Sequence, residues 1–159
     1  MSKLKCIICD IDGTVALMKG KRTPFEYHKA FEDLPNQPVI DVLLATHIYY
    51  AVKYKTQIDI IFTSARECKD ISEYNEFKDV YELTVAWVAK YISIPSKFTR
   101  FIFRKAGDYR KDAFVKFEIG KNIMKDYDIL CVFDDRNQVV DMWRNGLQLQ
   151  CFQVADGNF

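Results

Sequence analysis

Two pairs of carboxylates carry the strongest chemical signal in this sequence. Asp10 and Asp12 stand two residues apart in Asp10-Ile11-Asp12-Gly13-Thr14, directly after a short apolar run, and Asp134-Asp135 close a second apolar run far along the chain. Alternate residues of a strand share a face, so Asp10 and Asp12 can project into one crevice. Gly13 lets the chain turn sharply behind them. Like charges gathered in one place are costly unless a proton or a cation relieves them. Four carboxylates at one edge would call for a hard cation with oxygen ligands, and Mg²⁺ is the usual one beside phosphate. Taken alone, the first pair also reads as an acidic turn with an Asp helix cap, and the second as a polar loop after a buried strand. Thr63-Ser64-Ala65-Arg66 ends a third apolar run and adds a hydroxyl and a guanidinium.

These groups can meet only if the elements bring their ends together. Apolar, branched runs at 5–9, 58–62 and 129–133 read as buried strands, with further strands at 98–103 and 149–154. Asn36 and Pro38 mark a helix start, after which Ile40, Leu43, Leu44, His47 and Ala51 share one face. His47 in that stripe reads as a core histidine rather than a ligand. Asp79 and Glu82 have capping-box spacing ahead of a helix that carries Val80, Leu83, Thr84, Trp87, Val88 and Tyr91 and stops at Ile94-Pro95. Gly107-Asp108 turns the chain, and helices are expected over 111–124 and 139–144. Strands alternating with helices predict an α/β fold with a mostly parallel sheet. In such sheets ligands bind outside the carboxyl ends of the strands. Asp10/Asp12, Ser64/Arg66 and Asp134/Asp135 would all meet there.

The totals narrow the function classes. A length of 159 residues suits one domain, expected over residues 1–159, and 49% hydrophobic residues argue against disorder. A formal net charge of +1 excludes a general polyanion binder, so any nucleic-acid contact must rest on local patches. No apolar stretch is long enough to span a membrane and no export signal follows Met1, so a cytoplasmic protein with free thiols is expected. Cys6 and Cys9 have the spacing of a redox or zinc pair. Residues three apart on a strand face opposite ways, however, and both read as core residues.

The motifs resemble those of the haloacid dehalogenase (HAD) superfamily. Asp10-Ile11-Asp12-Gly13-Thr14 looks like its first motif, with Ser64, Lys111 and Asp134/Asp135 in the order and spacing of the other three. The longer segments Thr63-Ser64-Ala65-Arg66-Glu67, Gly107-Asp108-Tyr109-Arg110-Lys111-Asp112 and Asp134-Asp135-Arg136-Asn137-Gln138-Val139-Val140-Asp141-Met142-Trp143-Arg144 resemble the 3′-phosphatase domain of bacteriophage polynucleotide kinase/phosphatase. The ending Gln153-Val154-Ala155-Asp156-Gly157-Asn158-Phe159 is similar too. The resemblance implies a HAD-like Rossmannoid three-layer fold with little or no cap. It implies Asp10 as the nucleophile that forms an aspartyl-phosphate, and Asp12 as general acid and base. Mg²⁺ would be held by Asp10, the backbone carbonyl of Asp12, Asp134 and Asp135. Ser64 would hydrogen-bond the phosphoryl group, and Lys111 would offset its charge and that on Asp10. Thr14, Arg66, Arg110 and one of Lys21 and Arg22 would contact substrate.

Two departures accompany it. Ala65 stands where the family has Gly. No kinase half is expected within these residues: Gly13…Gly20-Lys21 has six residues between its glycines rather than four, and Arg22 follows the lysine where a phosphate-binding loop has Ser or Thr. The expected activity is removal of a 3′-phosphate from DNA or RNA ends, in a phage-encoded case within the host cytoplasm, beside a separate kinase or ligase. A nucleotidase acting on free 3′-nucleotides and a non-catalytic binding module are the alternatives. The stretches 15–37 and 67–79 are too short for a full cap, and an open site suits a large substrate. Lys97, Arg100, Arg104, Lys105, Arg110 and Lys111, interleaved with Phe98, Phe101, Phe103 and Tyr109, suit a single-stranded end. Strand alternation offers the plainer reading that the Phe residues face the core.

Overall fold

The buried apolar runs pair, as predicted, into a parallel sheet. The structure, a computed structural model, describes residues 3–158, so Met1, Ser2 and the closing Phe159 of the C-terminal motif lie outside the described residues. Five strands, β1 (Leu4–Asp10), β4 (Ile58–Glu67), β5 (Thr99–Arg104), β6 (Tyr127–Arg136) and β7 (Cys151–Gly157), lie in the order β5-β4-β1-β6-β7. Every neighbouring pair is parallel. β1 is central because it is the most apolar strand and must be covered on both faces. Its side chains alternate accordingly. Ile7 and Cys9 join one core layer with Ile40 and Leu43 of α1 (Gln37–Tyr54) and Trp87 and Val88 of α2 (Val80–Tyr91). Cys6 and Ile8 join the opposite layer with Val115, Ile119 and Ile123 of α3 (Asp112–Asp126), Val139 and Val140 of α4 (Asn137–Asp141), and Trp143. The three-layer HAD-like fold is therefore present, and Cys6 and Cys9 face opposite layers, as core residues.

Boundaries differ from the expectations where the chain keeps hydrogen-bonding past its apolar run. β4 and β6 continue through Glu67 and Arg136, so Ser64, Arg66 and both late aspartates stand on extended backbone rather than in loops. The helix expected over 139–144 starts earlier, at Asn137, and passes into a π-helical turn at Met142–Gly146. The strand expected from Leu149 begins at Cys151. Between β1 and α1 the chain forms only a two-stranded ribbon, β2 (Ala16–Leu17) with β3 (Leu34–Pro35), and a 3₁₀ turn at Tyr27–Glu32. That small structure is the whole of what stands in place of a cap there. His47 is satisfied within the protein, donating Nε2–H to the Ile58 carbonyl at 2.8 Å. Asp79 caps α2 by accepting the Glu82 amide at 2.8 Å. Among the described residues no helix is long and apolar enough to cross a membrane.

Candidate active site

β1 delivers Asp10 at its carboxyl end, and the chain turns at once through Gly13, whose φ of 83° favours glycine. A Cβ on Gly13 would also overlap the Asp135 carboxylate, so the residue makes room as well as the turn. Behind that turn, Asp10, Asp134 and Asp135 come together, each buried, with one carboxylate oxygen apiece all within 4.8 Å of one another. Thr14 Oγ1 donates to Asp10 Oδ2 at 2.9 Å. Asp134 Oδ1 accepts the Asp135 amide at 3.0 Å, and its Oδ2 accepts the Trp143 indole N–H at 3.1 Å.

Lys116 faces these carboxylates. Its Nζ donates to Asp10 Oδ1 at 2.6 Å and to Asp134 Oδ2 at 2.9 Å. Burial alone would strip the ammonium of its proton, but Asp10 and Asp134 outweigh it and hold the Lys116 pKa above its ordinary value. Burial pushes the Asp10 carboxyl well above the usual carboxylate range, opposed by Lys116 and reinforced by Asp134 and Asp135. Asp135 is pushed up to about 6 by burial and by Asp134. One ammonium cannot balance three buried carboxylates, so the cluster has the charge and the oxygen donors that suit a hard divalent cation.

Asp12 belongs to a separate arrangement. Its carboxylate lies outside the acidic cluster and is gripped by Arg66, Nε at 2.7 Å and Nη2 at 2.8 Å, and by Arg22 Nη2 at 2.6 Å. Burial disfavours the Asp12 anion, but the Arg66 and then the Arg22 guanidinium outweigh it and hold the carboxyl down at about 2. Fully buried Asp33 fixes both guanidiniums from behind, through two bonds to Arg22 (2.8 and 2.6 Å) and one to Arg66 (3.2 Å). Arg66 Nη1 also reaches Thr84 Oγ1 of α2 at 2.9 Å.

Several sequence expectations change at this point. Lys111 is exposed at the N-cap of α3, and Lys116 occupies the position at Asp10 that Lys111 was expected to fill. Lys21 is exposed and lines no part of the cleft. Arg22 and Arg66 are buried with their guanidiniums on Asp12 and Asp33, where they orient an aspartate, and Arg66 also lines the cleft. Thr14 is likewise buried and turned onto Asp10. Arg110 is exposed and forks onto Asp108 and Glu118. Ser64 is buried one residue beyond Thr63, the β4 partner of Asp10, and its Oγ accepts the Arg66 amide at 3.1 Å. Phe101 and Phe103 take the plainer reading, since they stack with Phe62 and Tyr81.

A cleft of about 320 Å³ opens over Asp10 and Asp12. Arg104 and Arg136 line it, with Asp112 between them, 3.4 Å from a guanidinium nitrogen of each. Among the described residues Arg104 Nε is buried without a hydrogen-bond partner. Lys116, Asp33 and Asp112 escaped sequence reading. Helical periodicity held a signal for Lys116, which lies in line with the buried Asp112, Ile119, Gly120 and Ile123 of α3.

A parallel sheet with a buried aspartate at the end of its central strand, and a second acidic pair on the neighbouring strand, defines a HAD-type phosphatase domain. The family model of the polynucleotide kinase PNKP phosphatase domain matches residues 4–159, and the chain belongs to that family. A protein of the Autographa californica nuclear polyhedrosis virus, provisionally assigned as a bifunctional polynucleotide kinase/RNA ligase, is 30% identical over 145 residues. The match takes in 89% of this chain and 18% of the viral protein. Two solved structures of Pnkp1/Rnl/Hen1 complexes, one described as an RNA repair complex, contain chains similar at 36% and 37% identity, each with a TM-score of 0.75. Each likeness covers 99% of this chain, but only 44% and 48% of those chains. The chain thus spans less than half the length of the relatives it matches.

Proposed function

We propose that the chain is a Mg²⁺-dependent phosphomonoesterase that removes the 3′-phosphate from DNA or RNA ends through an aspartyl-phosphate. The observation that carries the reading is the convergence of Asp10, Lys116, Asp134 and Asp135 beneath a cleft that Arg104 and Arg136 also line. Bound by Asp10, Asp134, Asp135 and the Asp12 carbonyl, Mg²⁺ would supply positive charge for the phosphoryl oxygens. An Asp10 carboxylate oxygen attacks phosphorus as the bond to the sugar O3′ breaks. Lys116 opposes the burial that favours the protonated Asp10 carboxyl, and it offsets charge in the transition state.

Asp12 donates a proton to the leaving O3′, then accepts one from the water that cleaves the aspartyl-phosphate. Its grip by two guanidiniums suits the second task, where a base is needed. For the first, an arriving phosphate dianion raises the Asp12 pKa through its own negative charge, and Asp12 takes up a proton from solvent as the substrate binds. Arg104 and Arg136 suit the next phosphates of a polynucleotide, which a free nucleotide lacks. A separate kinase would act on the opposing 5′ end, and a ligase would join the two.

The test compares phosphate release from an oligonucleotide 3′-phosphate, its 5′-phosphate isomer, a 3′-mononucleotide and glucose 6-phosphate. The 3′-phosphorylated oligonucleotide is expected to be the best substrate, with kcat/KM falling as salt rises by a log–log slope of roughly −0.7 for each phosphate contacted. Equal rates on glucose 6-phosphate and the oligonucleotide end at low salt would overturn the assignment.

The acidic cluster adds a stability prediction. The folded pKa of Asp135, about 6, lies above its ordinary 3.8. Its contribution to stability is therefore full below pH 3.8 and is lost as pH rises through about 6. Metal-free protein should lose melting temperature over that window. Mg²⁺ needs the ionised carboxylates, so its stabilisation should be greatest above pH 7, about 2.7 kcal/mol at a hundred times Kd, and fade towards pH 5. A melting temperature unmoved by Mg²⁺ across pH 5–8 would remove the metal from the proposal.

A further inference from the structure

We propose that Phe25 and Tyr109 form a stacking site for the nucleobase of the terminal nucleotide, the one that carries the phosphate to be removed. The proposal rests on the reading of the cleft as a 3′-phosphatase site. Phe25 and Tyr109 are the most exposed aromatic side chains described, at 78% and 84%. Of the other exposed rings, Tyr49 and Tyr54 pack on Tyr50, Tyr74 stacks on His28, Tyr81 packs on Phe101 and Phe103, and Phe152 leans on Phe133, while Phe114 lies outside the cleft. Among the described residues neither Phe25 nor Tyr109 meets another ring. Both line the cleft that has Asp10 within it, together with Met18 and Pro24, and they arrive there on two unrelated loops. Single exposed apolar residues are ordinary. Two bare rings on the walls of one catalytic cleft are a receptor for a flat apolar surface, and a nucleobase is the flat surface that a 3′-phosphorylated end brings to this place.

Both rings are carried on loops fixed from below. Beside Phe25, Arg22 Nη1 donates to the Thr23 carbonyl at 3.1 Å while its Nε holds Asp33, and Glu26 accepts the Thr23 amide at 2.8 Å. Beneath Tyr109, Arg104 Nη1 donates to the carbonyls of Asp108 and Arg110 at 2.8 and 2.7 Å, and Gly107 makes the turn at φ 78°. The fork of Arg110 onto Asp108 and Glu118 closes the same loop from outside. Little ordering remains to be done when a base arrives, which favours affinity. Each loop is anchored by an arginine that also holds an acidic side chain near the cleft, Arg22 on Asp12 and Arg104 on Asp112. Aromatic stacking accepts any base, so the site selects an unpaired terminal base rather than a sequence. A base still paired in a duplex offers its faces only to its neighbours.

The test uses single-stranded oligonucleotide 3′-phosphates that differ only in the last residue, which carries a base or is abasic. The parent protein should show a KM about 5- to 150-fold lower for the base-bearing end, equivalent to about 1–3 kcal/mol of stacking. In the Phe25→Ala/Tyr109→Ala protein that ratio should collapse towards one, and Tyr109→Phe should keep it. The ratio is internal to each protein, so a change in its folded fraction cancels. A parent that hydrolyses both ends with equal KM, or a double variant that keeps the full ratio, overturns the stacking site alone. If the parent cleaves a small phosphate ester but neither oligonucleotide, the nucleic-acid reading and the stacking site fall together.

Discussion

Asp10→Asn should abolish phosphate release from every ester, by at least about 10⁴-fold, while leaving a folded protein. The amide keeps the shape of the side chain and can still accept from Thr14 or Lys116, but it is no nucleophile for phosphorus and one anionic ligand fewer for a cation. The stability expectation separates this variant from simple damage. Burial already pushes the Asp10 carboxyl towards its protonated form, so the ionised group is not a net support of the metal-free fold. Without Mg²⁺, Asp10→Asn should therefore melt no lower than the parent, and with Mg²⁺ the gain in melting temperature should shrink. Acid quenching during turnover should trap phosphate on the parent protein and none on the variant. A folded Asp10→Asn protein with parental activity would remove Asp10 from the reaction.

What the sequence disclosed and what it hid divide along a physical line. Asp10, Asp12, Asp134 and Asp135 were legible because each pair is local and follows an apolar run, and a parallel sheet forces such strand ends to one edge. Capping by Asp79 and the opposite facing of Cys6 and Cys9 were legible for the same reason, since they depend only on spacing along one element. Partner choice among charges was not. Arg22 and Arg66 looked like contacts for an anionic substrate, and they are, for an anion, but the anion is the protein's own Asp12. Asp33, the buried group that aims both arginines, sits in Glu32-Asp33-Leu34-Pro35 with no spacing that marks it. Its role exists only once three distant segments have packed. The alternating Phe residues of β5 offered two readings, and packing against Phe62 and Tyr81 decided between them, leaving Tyr109 as the member of that aromatic set that reaches the cleft.

Replacing Lys111 and Lys116 one at a time gives the sharpest contrast. Lys111 and Lys116 are five residues apart, which at 3.6 residues per turn sets them about 140° apart around α3. One must face out when the other faces in, and Lys116 is the buried one, 2% exposed against Asp10 and Asp134. Lys116→Ala removes the ammonium that bonds Asp10 and Asp134 from a pocket of three buried carboxylates. Breaking such a group by deleting one partner costs about 3–5 kcal/mol. The metal-free Lys116→Ala protein should lose much of that, and Mg²⁺ should restore part of it by supplying the missing positive charge. Lys116→Met keeps more of the volume, so it separates lost charge from a cavity, and should be destabilised almost as much. Phosphatase activity should fall by at least about 10²-fold in either variant even at saturating Mg²⁺, on the scale of removing one preorganised electrostatic contact from a transition state. Lys111→Ala, by comparison, should change melting temperature by no more than an exposed surface substitution does, within about 0.5 kcal/mol. Its effect on kcat should be under about threefold, because the side chain stands at the helix start and outside the cleft. If Lys111→Ala were the variant that lost activity, and Lys116→Ala kept it, the lysine that the phosphoryl group meets would be the one at the start of α3, and the motif spacing in the sequence would outrank the contact with Asp10.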